Sequence, residues 1–234
     1  MGLSHSPKIV TDGLVSYLDA ANPKSYPGSG TTWSDLSGNG NNATLVNGPT
    51  YSTGSAGSIV FDGVNDYGTL SSADPFKIDT MTIEVVAVLE EDINSSSGFK
   101  GFFSTFSISA GYQLFWHASS QYFYFFAGGA IRISTISFTN GTFTSGDFLH
   151  LVCRFGTSDY ESNDIFVNNV NQTNFRHTTP SIGHSTYSPW IGGRNVSDTY
   201  YLNQNMSIVR FYNRKLTDSE IKQNFEATRG RFNL

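Results

Sequence analysis

Period-two alternation of apolar and polar residues recurs along this chain, and it restricts the available folds more than any other feature. Met81, Ile83, Val85, Ala87 and Leu89 fall on one face of a segment whose other face carries Thr82, Glu84, Val86 and Val88. A side-chain period of two belongs to a β-strand, and the valines of the second set mark a half that is buried on both faces. Leu149, Leu151, Cys153 and Phe155 alternate with His150, Val152 and Arg154 in the same way. Ile59 and Phe61 make a shorter strand that ends at the turn pair Asp62-Gly63. Further strands are expected at 13–19, 43–47, 66–70, 101–108, 112–117, 121–126, 131–138, 164–169, 189–194 and 205–212. Clusters such as SGNGNN, NGP, SSSG, AGG and TNGT punctuate them at spacings that suit an antiparallel sandwich. Leu36 to Asn42 has no periodicity and is expected as surface loop.

One helix is signalled, over 218–229. Thr217 suits the N-cap and Glu220 completes a capping box, while Leu216 and Ile221 stand at the hydrophobic-staple positions. Gly230 can close the C-terminus, and Ile221 with Phe225 gives an i,i+4 apolar face for docking. The expected fold is therefore all-β, a two-sheet antiparallel β-sandwich (jelly roll) with one short C-terminal helix. No repeat or composition shift divides the chain. A single domain is expected over 13–234, with residues 1–12, which contain Pro7, as an N-terminal attachment arm.

Charge narrows the functions. Fourteen Lys+Arg stand against 19 Asp+Glu, and charged residues make up only 14% of the chain, where about a quarter is usual. No basic field is available for phosphates, so no nucleic-acid partner is expected. No apolar run reaches the roughly 18–20 residues of a membrane-spanning helix, so no membrane partner is expected either. The opening MGLSHSPKIV lacks a basic stretch followed by an apolar one, so no secretory signal is expected. A single cysteine, Cys153, offers neither an intrachain disulfide nor a zinc cluster and reads as a small core filler.

Catalytic patterns are sparse. There is no GxSxG elbow, no HExxH and no phosphate-binding loop. The five histidines show no ligand spacing, and His150 alternates onto the outer face of its strand as a surface residue. The closest carboxylate pair, Glu84 and Glu90, is six residues apart on one face, roughly 20 Å at strand rise, whereas a retaining glycosidase needs about 5–5.5 Å. For calcium, Asp62, Asn65 and Asp66 offer hard oxygens in one tight turn. Asp62 and Asn65 are equally suited to capping that turn through backbone hydrogen bonds.

Aromatic residues form 15% of the chain, and their densest run is the most unusual feature. Residues 112–117 (YQLFWH) and 121–126 (QYFYFF) read as a hairpin around Ala118-Ser119-Ser120. Phe123 and Phe125 face one way and Tyr122, Tyr124 and Phe126 the other, so both faces are aromatic. One face belongs to the core. Tyr122, Tyr124 and Phe126 are then covered within the chain, by another subunit, or by glycan.

Residues 60–67 (VFDGVNDY), preceded by 42–48 (NATLVNG), resemble the opening of laminin-G-type domains of the concanavalin A-like lectin/glucanase superfamily. Residues 190–194 (WIGGR) and 206–225 resemble that family's closing strand and terminal helix. Residues 147–155 and 164–168 resemble its central strand and short hairpin, with Asn169 in place of the usual hairpin glycine and Asn205 where a glycine often precedes the last strand. Asn tolerates left-handed geometry, so both turns are expected to survive. Where the glucanases of this superfamily carry catalytic carboxylates, Val86 and Val88 stand here.

Residues 13–23 and 225–234 further resemble bacteriophage virion proteins of this family. The resemblance implies a non-catalytic virion structural protein, a capsid decoration or a fibre or tail surface protein, made in the host cytoplasm. Its expected partners are other virion proteins, further copies of itself and cell-surface glycan. Alternatives are a soluble calcium-dependent lectin, with Ca2+ at Asp62, Asn65 and Asp66, or a glycoside hydrolase.

Overall fold

The computed structural model describes residues 7–54, 56–89, 98–107, 110–139, 142–178, 181–194, 200–232 and 234. Glu90 of the carboxylate pair and residues 1–6 of the expected arm lie outside the described residues. In chain order the first strands are β1 Leu14–Asp19, β2 Thr32–Trp33, β3 Ala43–Val46, β4 Thr50–Ser52, β5 Ser58–Val60 and β6 Tyr67–Leu70. Next come β7 Thr80–Val88, β8 Phe99–Ser104, β9 Tyr112–His117, β10 Tyr122–Ala127, β11 Ala130–Thr135 and β12 Phe148–Gly156. The series closes with β13 Asp164–Val167, β14 Val170–Asn171, β15 Thr173–Arg176, β16 Trp190–Ile191 and β17 Asn205–Tyr212, before helix α1 Asp218–Phe232.

These strands form two antiparallel sheets. The eight-stranded sheet runs β14-β13-β12-β7-β17-β5-β4, with β1 also on β17, and the nine-stranded sheet runs β15-β11-β10-β9-β8-β16-β6-β3-β2. The expected alternation sets their facing surfaces. Ile83, Val85 and Ala87 of β7 and Leu149, Leu151 and Cys153 of β12 meet Leu114, Trp116, Phe123 and Phe125 in one core. Burial pushes the Cys153 thiol well above its ordinary range, so this sulfur is packing material. The loop from Leu36 to Asn42 is held by hydrogen bonds. Asp35 accepts from the Tyr17 amide at 2.8 Å and the Asn41 amide at 2.9 Å, and the Asn41 side chain donates to Val15 O at 2.8 Å.

Several local expectations are modified by packing. The strand expected at 189–194 contracts to Trp190–Ile191 because Gly192 turns the chain with φ 76°. A Cβ at Gly192 would come within 2.9 Å of the Phe61 ring. Asn168 and Asn169 take left-handed backbone, with φ 49° and 63°, as expected of asparagine in a hairpin without glycine. Asn205 instead lies in β17 and is buried. Helix α1 does not stop at Gly230. Phe232, on a helical turn past it, packs its ring 4.9 Å from Phe148, and Arg231 reaches Asp19 at 2.9 Å, so tertiary contacts carry the helix onward.

The main correction concerns His150. Its face of the eight-stranded sheet is roofed by α1, and the residue is fully buried. His150 Nε2 lies 2.8 Å from Glu84 Oε1, and the same oxygen accepts from Arg210 Nη1 at 2.8 Å. Asn224 of the helix donates to Glu84 Oε2 at 2.8 Å and to the Tyr212 hydroxyl at 2.9 Å. Burial alone would raise the Glu84 carboxyl, but Arg210, His150 and Asn224 outweigh it and hold the group below the ordinary glutamate range. Residues 8–12 close the edge of this layer. The Val10 amide donates to Asn224 Oδ1 at 2.8 Å, and Gln223 donates to Lys8 O at 2.7 Å.

The capping box forms as expected. Thr217 N–H donates to Glu220 Oε2 at 2.8 Å and Glu220 N–H to Thr217 Oγ1 at 3.3 Å. Hydrogen bonds from Arg214, joined by those from Thr217, pull the Glu220 carboxyl down to about 2.

Glu84→Ala should cost about 3–5 kcal/mol in urea unfolding, because it strands a buried guanidinium. Pairing it as Glu84→Leu with Arg210→Met should recover most of that loss. Thr217→Ala should cost about 1 kcal/mol in the same assay. Both Glu84 and Glu220 are held below the ordinary glutamate range in the folded state, so the stabilisation each gives is present above about 4.5 and is lost as pH falls through its folded-state value, about 2 for Glu220. The melting temperature should decline through that window, and less steeply in Glu220→Gln.

Candidate functional site

The outer faces of the two sheets differ. Helix α1 covers that of the eight-stranded sheet, whereas no helix lies on that of the nine-stranded sheet among the described residues. The β9–β10 hairpin forms as expected, pairing Tyr122 with His117, Tyr124 with Phe115 and Phe126 with Gln113. Residues directly opposite on paired strands share a face. Tyr122, Tyr124 and Phe126 therefore lie together on the outer surface, half-buried, while Phe123 and Phe125 are fully buried in the core. Strand β8 extends the same surface by pairing Phe99 with His117 and Gly101 with Phe115. Phe175 joins through its pairing with Ser134, which in turn opposes Tyr124, and it is 43% exposed.

Much of this aromatic surface is organised by its own rings. Phe99 stacks on His117 at 4.3 Å on one side and on Tyr200 at 4.3 Å on the other. The Arg194 guanidinium caps Tyr200, 3.8 Å from its ring centroid. Gly101 permits this column. Its N–H donates to Tyr200 O at 3.1 Å, and a Cβ there would press to 3.0 Å against Gly193 O. Phe126 meets Phe106 edge-on at 5.2 Å, and Tyr124 lies 5.5 Å from both Phe115 and Tyr122. The Tyr124 hydroxyl donates to Ser120 Oγ at 3.2 Å, and His117 Nδ1 lies 2.6 Å from that oxygen. Burial lowers the affinity of His117 for a proton.

The sequence therefore identified Tyr122, Tyr124 and Phe126 as one face but missed Phe99, Ser120, Arg194 and Tyr200. Phe99 lies just outside the strand expected at 101–108. Arg194 closes the strand expected at 189–194 and Tyr200 lies outside every expected strand, so alternation gives neither a place on this face. Ser120 falls in the turn, where alternation assigns no face.

The turn at Asp62, Asn65 and Asp66 uses its oxygens internally. Asp62 Oδ1 accepts the amides of Val64, Asn65 and Asp66 at 2.8, 3.2 and 3.3 Å. The bond from Val64 leads those that hold the Asp62 carboxyl below its ordinary range. Asp66 is buried, and that burial, reinforced by the charge of Asp62, raises its carboxyl. Asn65 is exposed at the turn's tip, and its carbonyl accepts from Asn47 Nδ2 at 2.7 Å. Among the described residues, no group of three or more His, Cys, Asp or Glu side chains is placed to hold a metal ion. The buried Glu84, His150 and Arg210 cluster is sealed from solvent by α1, so it cannot contact a substrate in this arrangement.

Comparisons with known proteins agree with this architecture. A search of curated protein sequences finds no match. Among solved structures, Trypanosoma rangeli sialidase in complex with sialic acid superposes with a TM-score of 0.67 at 15% identity, covering 97% of this chain and 36% of that one. A Trypanosoma rangeli sialidase mutant displaying trans-sialidase activity gives a TM-score of 0.66 at 15% identity, covering 96% of this chain and 34% of that one. The binding domain of botulinum neurotoxin DC in complex with SialylT gives 0.67 at 10% identity, covering 93% of this chain and 52% of that one. The chain thus spans about a third of the sialidase chains and half of the toxin domain. These similarities correct the expectation of a non-catalytic protein: the same sandwich lies within chains that are enzymes, so the fold gives no ground for that exclusion. The model of the Laminin_G_3 family, described as concanavalin A-like lectin/glucanases superfamily, matches residues 62–222, more than half of the sequence. The resemblance first read in the 60–67 and 206–225 segments is thereby established: the chain belongs to the laminin-G-like branch of the concanavalin A-like lectin/glucanases superfamily.

Proposed function

We propose that this chain is a lectin-like module that binds cell-surface glycan through the outer aromatic face of its nine-stranded sheet. The observation that carries the reading is the contrast between the two outer faces. One is roofed by α1, and the other presents Tyr122, Tyr124, Phe126 and Phe175 without a covering helix among the described residues. Tyrosine combines an apolar ring with a polar tip, which suits the C–H face and hydroxyl edge of a sugar. Support also comes from similarly folded proteins in complex with sialic acid and with SialylT.

The setting we propose is the surface of a virion, as a capsid decoration or a fibre or tail component made in the host cytoplasm. Its support is the resemblance of residues 13–23 and 225–234 to phage virion proteins. Assembly with other virion proteins and with further copies of itself belongs to the same proposal, since repetition on a particle raises weak sugar contacts to useful avidity.

On an array of neutral and sialylated oligosaccharides, the chain should retain a defined subset. Tyr124→Ala should lower that retention at least tenfold while the chain stays folded at the assay temperature, with a small fall in melting temperature from the lost ring contacts. Absence of any retained oligosaccharide would overturn the glycan reading. Antibody against the chain should decorate intact particles in electron micrographs, and particles devoid of label would remove the virion setting.

A further inference from the structure

The tip of the β9–β10 hairpin differs from the rest of the aromatic face because its polar atoms converge. Ser120 Oγ accepts from the Tyr124 hydroxyl at 3.2 Å and lies 2.6 Å from His117 Nδ1, whereas its other acceptor, His117 O, is at 3.5 Å. A serine hydroxyl has one hydrogen to give. With Tyr124 donating inward, the short contact directs that hydrogen to Nδ1 and leaves the imidazole proton on Nε2. Tyr122 stands opposite His117 across the hairpin, with its ring 5.5 Å from that of Tyr124. His117, Ser120, Tyr122 and Tyr124 are all half-buried, so they combine solvent contact with fixed orientation.

We propose that these four residues form a subsite for a neutral sugar, in which the Tyr122 and Tyr124 rings pack on the C–H face while His117, Ser120 and Tyr124 read a neighbouring pair of hydroxyls. This deepens the glycan-binding reading above and rests on it. Adjacent hydroxyls of a pyranose each donate and accept, and the hairpin tip offers both functions side by side. A carboxylate-bearing sugar calls for a cation instead. None of the contacts described for His117, Ser120, Tyr122 and Tyr124 involves an Arg or Lys side chain. Arg194 stands at the far end of the column, separated from His117 by the rings of Tyr200 and Phe99. Lys100 pairs with Trp116, whose side chain lies in the core, and so belongs to the opposite register from Phe99 and His117.

Protonation supplies a readout that a purely structural hydrogen bond would not give. Among the described residues, the groups facing His117 are Phe99 from β8, Ser120 from the turn, and Tyr122 and Tyr124 from β10. None of them is charged near neutral pH. When His117 gains a proton, Nδ1 becomes a donor and Ser120 must turn its hydrogen elsewhere, which reverses the donor and acceptor pattern offered to the sugar. Binding should therefore be full where His117 is neutral and decline as pH falls below its ordinary range of about 6.5.

The test presents immobilised neutral oligosaccharides (galactose-, glucose- and N-acetylhexosamine-terminated) and their sialylated counterparts to the full chain between pH 5 and 8. At pH 7.5 neutral probes should be retained. His117→Phe, which preserves stacking on Phe99, should weaken retention at least tenfold, and Ser120→Ala should weaken it about fivefold. The acid decline should vanish in His117→Phe. Retention of sialylated probes alone, or neutral binding indifferent to both substitutions and to pH, would overturn the subsite while leaving glycan binding intact. Failure to retain any probe would sink both readings. Ser120→Ala removes only one hydroxyl at a half-buried turn, so it decides the matter even if His117→Phe fails to fold.

Discussion

The fold depends on a charge buried where a β-sandwich usually meets water. Glu84 lies at the centre of the eight-stranded sheet, on its outer face, and is buried with Arg210 beside it. Neither group is tolerable there without the other, nor without a cover that keeps water out and completes the hydrogen bonds. Helix α1 supplies that cover. Asn224 reaches the second carboxylate oxygen, Phe225 lies over the His150 ring at 5.4 Å, and Phe232 packs with Val86 and Ile208. The amide of Val10 completes the arrangement by using Asn224 Oδ1, which ties the beginning of the domain to its end. Sheet, helix and N-terminal segment are thus joined through one hydrogen-bonded cluster centred on Glu84.

That layer leaves the nine-stranded sheet to do something different. Its inner face supplies Trp116, Phe123 and Phe125 to the core, while its outer face carries aromatic rings that stack on one another. Self-stacking consumes part of the apolar surface. Phe99 is sandwiched, and Tyr200 is capped by a guanidinium, so their faces are already occupied. The hairpin keeps more of its surface open, since Tyr122 and Tyr124 retain solvent contact there and the hydroxyls gather.

Strands and their faces were largely legible in the sequence because the pleat converts a period of two directly into inside and outside. Met81 to Leu89 and the β9–β10 hairpin read correctly for that reason, and so did the Thr217–Glu220 capping box, whose partners are three residues apart. What could not be read depends on contacts between residues distant in the chain. His150 looked like a surface residue because alternation gives the face but not what covers that face, and Asn224, its roof's polar contact to Glu84, lies 140 positions from Glu84. Gly230 looked like a stop because glycine weakens a helix locally, yet the packing of Phe232 outweighs that preference. The candidate site divided along the same line. Tyr122, Tyr124 and Phe126 followed from alternation, whereas Tyr200 lies outside every expected strand and Arg194 reaches it only through a contact that no local pattern encodes.

The tie between Val10 and Asn224 also fixes how the domain faces its surroundings. Residues 8–12 and helix α1 both lie on the outer side of the eight-stranded sheet, so the chain enters and leaves this domain on the same side. The aromatic hairpin is on the opposite side, a full sandwich thickness away. Anything joined to the domain through either end would hold it by its back, and the tyrosine-bearing sheet would point away from the anchorage. Orientation of the aromatic face relative to residues 8–12 and helix α1 is thereby written into the polypeptide path.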